Sequence, residues 1–171
     1  MNLVKELSKS PTSAQRLHIA AYIGSNPKRF AELLSIFLMG PHRVSQQAMW
    51  PLGYCVQQDP ILLKPHFHKL VKLLEQPDLP VGLKRNLYRT LQFASIPKTY
   101  QARIINCALT VLTNRSEPIA IRVFAMTVLH HLTGSIPEIK NELIAVLEND
   151  LPFASAGYVS RARKILRELK R

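Results

Sequence analysis

Lys84-Arg85-Asn86-Leu87-Tyr88-Arg89-Thr90-Leu91, followed by Ser95-Ile96-Pro97, has a second version at Ile121-Arg122-Val123-Phe124-Ala125-Met126-Thr127-Val128-Leu129, followed by Ser135-Ile136-Pro137. Each copy is an amphipathic or apolar helical segment with an Arg near its start, then a turn closed by Ser-Ile-Pro. The two turns lie 40 residues apart, a period typical of stacked helical hairpins. Units of this kind bury their apolar faces against one another and build an extended surface in place of an enclosed pocket.

Reading outward from these copies gives four helical pairs and a closing helix. Pair one is Ser13–Ser25 and Pro27–Met39. Pair two is Val44–Gln57 and Pro60–Glu75, with Asp59 as N-cap. Pair three is Val81–Ala94 and Pro97–Thr113, and pair four is Glu117–Leu132 and Pro137–Glu148. Residues Ala156–Lys170 close the chain. Pro27, Pro60, Pro97 and Pro137 each open a second helix, where a missing N–H costs nothing. In pair two, Leu63, Phe67, Leu70, Val71 and Leu74 recur at helical spacing as a buried stripe, with Lys64, His68, Lys72 and Glu75 on another face. In pair three, Tyr100, Ile104, Cys107, Ala108, Val111 and Leu112 form the apolar stripe, and Arg103, Asn106, Thr110 and Thr113 the polar one. Ile119 to Leu132 is apolar nearly all round and needs cover on several sides. Pro51 is expected to kink or shorten its helix.

The 171 residues form one expected domain: an N-terminal segment at 1–11, helical pairs over 12–150 and a basic closing helix over 155–171. With 47% apolar and 20% charged residues the composition is that of a globular protein. Cys55 and Cys107 both fall in apolar helical patterns and read as buried, reduced thiols. The first residues lack the apolar core of a signal peptide, and no uncharged run approaches the roughly 18 residues that cross a bilayer. A cytoplasmic location with no membrane partner is the expectation.

The net charge is +12 and unevenly spread. Residues 60–105 hold eight Lys and Arg against two acids, and residues 155–171 hold six against one, whereas residues 106–154 are net acidic. Such an excess favours polyanions or acidic protein faces through long-range attraction.

Little in the chain points to catalysis. His66 and His68 would diverge by about 200° on a helix, as would adjacent His130 and His131 to a lesser degree, so no metal-ligating pair is expected. No Gly-x-Ser-x-Gly or phosphate-binding loop occurs. Glu138 and Glu142 share a helical face and read as solvated. No catalytic residue, metal or cofactor is expected.

The repeated Pro at the second helix and the Arg of the first (Arg85, Arg122, and Arg161 or Arg163) resemble the HEAT and armadillo class of α-solenoids over roughly residues 12 to 170. Gln47 stands at the equivalent place in pair two. The resemblance implies an all-α, right-handed α-α superhelix whose second helices line a concave face. Lys64, His68, Lys72, Lys98, Arg103 and Asn106 would then face a basic groove. Lys84, Arg85, Arg89, Arg161, Arg163, Lys164 and Arg167 would make a second basic surface. The implied function is a non-catalytic scaffold or adaptor that presents this surface to an acidic protein or peptide. The alternative is sequence-tolerant binding of nucleic acid. Some HEAT-like solenoids are glycosylases for alkylated DNA bases, with a carboxylate near a tryptophan. Here Trp50 is followed by Pro51-Leu52-Gly53-Tyr54, and the first carboxylate is Asp59.

Overall fold

The computed structural model describes all residues, Met1–Arg171. Ten α-helices and two 3-10 segments account for the regular structure, with no strand. None of the helices is long and apolar enough to cross a membrane. Contacts group into two compact units, Met1–His66 with Phe93–Ser95, and Phe67–Gln92 with Ile96–Arg171.

In the first unit, α1 (Leu3–Ser8) is capped by Asn2, whose Oδ1 accepts the Lys5 N–H at 2.9 Å. It buries Leu3 and Leu7 and packs on α4. Six residues are too few to show a helical period, so the sequence alone marks this stretch only as an N-terminal segment. α2 (Ser13–Ile23) opens on a reciprocal capping box between Thr12 and Gln15. Gly24, at φ +50°, turns the chain out of α2 in a conformation that favours glycine. α3 (Pro27–Met39) starts with Pro27 in the first turn, and Asn26 Oδ1 accepts from the N–H groups of Lys28 and Arg29, both at 3.1 Å.

α4 (His42–Gln58) is the centre of this unit and packs against α1, α2 and α3. It runs 17 residues with Pro51 inside it. The expected shortening does not occur, because Val44, Ala48, Leu52, Cys55 and Val56 are buried on three neighbouring helices and that packing outweighs one lost backbone bond. Pro60 opens a 3-10 segment (Pro60–His66) instead of the expected α-helix. Asp59 caps it by accepting the Ile61 N–H at 3.2 Å, as read from the sequence. Pro65, lacking an N–H, delays the α-helical ladder until Phe67.

The second unit contains α5 (Phe67–Leu74), α6 (Val81–Leu91), α7 (Lys98–Thr113), α8 (Ile119–Leu132), α9 (Ile139–Asp150) and α10 (Ala156–Leu169). A 3-10 turn (Leu151–Phe153) joins the last two. α8 is covered by α6, α7, α9 and α10, which explains its apolar circumference. The stripe expected on pair two, Leu63 to Leu74, is buried throughout.

One charged cluster ties four of these helices together. The Asp150 carboxylate, at the end of α9, accepts from Arg122 Nη2, from Tyr158 Oη at 2.8 Å and from Arg115 Nε at 3.1 Å. Arg122 also donates through Nε to the Leu112 carbonyl at 2.9 Å, satisfying the end of α7, and lies over the Tyr158 ring at 4.7 Å. The side chains of Asp150 and Arg122 are 7% and 8% exposed, whereas Arg115 is 52% exposed. Removing one member of a buried pair strands the other without water.

The thiols are both free, but they differ in surroundings. Cys55 is buried beneath α2, its Sγ 3.9 Å from the Ala20 carbonyl. Cys107 is only half-buried, in departure from the sequence reading. Burial raises the Cys55 pKa to about 11. A raised folded pKa means stability is retained below the ordinary thiol value and lost as pH climbs from about 9 toward 11.

Two outcomes follow. Asp150→Ala should cost about 3–5 kcal/mol in a urea melt, while Arg115→Ala stays within about 1 kcal/mol of the parent. Equal losses would mean that Arg115, and not burial, sets the value of the cluster. Under iodoacetamide at pH 8, mass spectrometry of the native chain should find Cys107 alkylated well before Cys55; the reverse order would contradict the burial described above.

Candidate interaction surface

The second unit places its cations by helix register. α5 buries Phe67, Leu70, Val71 and Leu74, so His68, Lys69, Lys72 and Glu75 are left outward. α7 packs beside it, with the Phe67 and Tyr100 rings stacked at 5.9 Å. Its buried side holds Ile104, Ile105, Ala108, Val111 and Leu112, and its open side Asn106, Thr110 and Thr113. His68, Lys72, Arg103 and Asn106 thus occupy two adjacent helices, and Lys98 is exposed at the first position of α7. Lys64 is exposed on the 3-10 segment of the first unit.

Arg103 is not a free cation. Its Nε and Nη2 clasp Glu75 Oε1 and Oε2 at 2.7 and 2.6 Å. This fork holds the Glu75 carboxyl below its ordinary pKa and raises that of Arg103. Lys84, read from the sequence as part of a basic surface, faces inward: its Nζ meets Glu117 Oε1 at 2.5 Å, with the two side chains 15% and 13% exposed. Both acids come from elsewhere in the chain, 28 and 33 residues from their partners.

Elsewhere the cations stay outward. Arg85 and Arg89 are exposed one turn apart on α6. On α10, Tyr158, Ala162, Ile165, Leu166 and Leu169 are buried, leaving Arg163, Lys164 and Arg167 exposed and Arg161 half-exposed. Of the acids nearby, Glu148 on α9 pairs with Lys170, and Glu168 on α10 lies 3.4 Å from His130 Nε2. Burial lowers the His130 pKa, against the opposing pull of Glu168. Lys72, Arg85, Arg89, Arg163, Lys164 and Arg167 take part in no ion pair.

A cleft of about 400 Å³ opens between the end of α5, α6 and α7. The Glu75–Arg103 and Lys84–Glu117 pairs stand in its walls, together with Tyr88, Asn106 and Cys107. Tyr88 is 1% exposed and its hydroxyl has no hydrogen-bond partner. The sequence showed Tyr88 as one aromatic position in an amphipathic helix; nothing local marks a hydroxyl as unpaired. No group of three or more His, Cys, Asp or Glu side chains is arranged to hold a metal ion.

A family model, the HEAT repeat domain, matches residues 3–169, spanning all ten helices. Neither a curated protein nor a solved structure matches the chain. A single family model over nearly the whole length agrees with the helix pairs, their second-helix prolines and the buried Arg122 of α8, and the chain belongs to the HEAT repeat family.

Proposed function

We propose that this chain is a non-catalytic protein-interaction module whose outward cations receive an acidic protein surface or peptide. HEAT repeats generally mediate protein interactions through the extended faces of their helices. The observation that carries the acidic preference is the presence of exposed Lys and Arg side chains without an ion pair, Lys72, Arg85, Arg89, Arg163, Lys164 and Arg167 among them, in a chain of net charge +12. Arg163, Lys164 and Arg167 lie on one side of α10, whose other side is core. Lys72 and His68 do the same on α5. Exposed charges of this kind act mainly on encounter and specificity, so binding should be salt-sensitive.

The test is a fluorescence-anisotropy titration with a labelled Glu-rich decapeptide, run beside a labelled DNA duplex and a single strand. The parent chain should bind the peptide, more weakly at 200 mM than at 50 mM salt. Combined Lys72→Glu, Lys98→Glu and Arg163→Glu, Arg167→Glu sets should each be compared with it. At least one set should raise Kd about tenfold or more, while melting stays within about 0.5 kcal/mol of the parent, as is usual for surface changes. Unaltered binding in both sets would reject the assignment. Tighter binding to either nucleic acid, with a log–log salt slope of several units, would replace the acidic partner by a polyanion.

A further inference from the structure

A second cleft of the second unit, of about 460 Å³, opens between the turn after α7, the start of α8 and the turn that joins α9 to α10. The Arg122–Asp150–Tyr158 cluster stands in its wall. Asp150 is the only acid of the lining, against Arg115 and Arg122, so two guanidinium groups face one carboxylate and the local charge is positive. The carboxylate is already engaged by three donors and offers an incoming group little.

Arg115 is the cation with capacity to spare. It gives only Nε to Asp150, and its two Nη groups make no hydrogen bond in the chain. The guanidinium also lies over the Phe153 ring, 4.8 Å from the centroid. The Asp150 contact and the ring together hold the planar group in place, with its Nη donors open to a second carboxylate.

Beside this cation the lining is apolar. Phe153 is 74% exposed, more than any other large apolar side chain of the chain, and Ile119 is 49% exposed. A single exposed apolar residue is ordinary. Two of them lining one cleft, next to a guanidinium with unused donors, make a mixed apolar and cationic site of the kind that marks contact with a partner. A uniformly acidic segment would use Arg115 and leave Phe153 and Ile119 wet. A phosphate chain would do the same, and the aliphatic Ile119 offers no face for stacking a base.

We propose that this cleft docks an acidic peptide segment of a protein partner in which a leucine-sized apolar side chain stands beside an Asp or Glu. The carboxylate accepts from the Arg115 Nη groups, and the apolar side chain covers Phe153 and Ile119. The inference rests on the acidic-partner reading and adds to it the residue that must accompany the acid.

The test uses two labelled Glu-rich decapeptides of equal charge, one with alanine and one with leucine between two central Glu residues, titrated by fluorescence anisotropy at 50 mM salt. The parent chain should bind the leucine peptide about tenfold more tightly, from burial of the added carbons. Phe153→Ser, at an exposed position, should reduce that preference to less than twofold while leaving the alanine peptide and the melting midpoint unchanged. Arg115→Gln should weaken the leucine peptide about tenfold, the loss of a hydrogen bond between charged groups. Equal affinity of the parent for the two peptides, or a leucine preference that survives Phe153→Ser, overturns the cleft and leaves the basic-surface function standing on the alanine peptide. Binding of neither peptide overturns both readings. Tighter binding of a labelled single strand, weakened by Phe153→Ser, overturns the peptide in favour of bases stacked on the ring.

Discussion

The buried Asp150 carboxylate imposes the strictest constraint on the second unit. A charge removed from water must find donors of good geometry, and these come from three different places: the turn after α7, the body of α8 and the first turns of α10. Arg122 then passes the constraint on to α7 through the Leu112 carbonyl. Apolar packing around α8 supplies most of the favourable energy, but packing alone tolerates sliding. The Arg122–Asp150–Tyr158 cluster fixes one arrangement, because any shift of a helix strands a buried polar group.

Much of this architecture was legible because it is written locally. Proline at the head of α3, apolar residues every three or four positions on α5 and α7, and the fully apolar girth of α8 are properties of short windows. Arg122 stood out for the same reason, as a charge inside an apolar run. What escaped is what depends on distant partners or on competition between neighbours. α1 is too short for periodicity. The 3-10 stretch at Pro60–His66 reflects a second proline five residues on. Pro51 looked like a breaker until the burial of α4 on three sides was known.

The surface shows the same division. Charge runs on α5, α6 and α10 could be read from the sequence, but not which cations were already spoken for. Lys84 and Arg103 look identical in kind to Arg85 and Lys72 along the chain. Folding brings Glu117 to the first pair and Glu75 to the second. The unpaired set is therefore smaller than the composition suggests, and lies on helix sides whose opposite faces are core.

The long reach of Arg122 has a consequence for biosynthesis. Its carboxylate partner is residue 150 and its ring partner residue 158, so the guanidinium leaves the ribosome 36 residues ahead of the last group that completes its surroundings. At translation speeds of about 5–20 residues per second, α8 spends on the order of seconds with much of its oily circumference uncovered. Over that interval the nascent chain presents a sticky, cationic helix, the kind of intermediate that holding chaperones shield until α9 and α10 emerge.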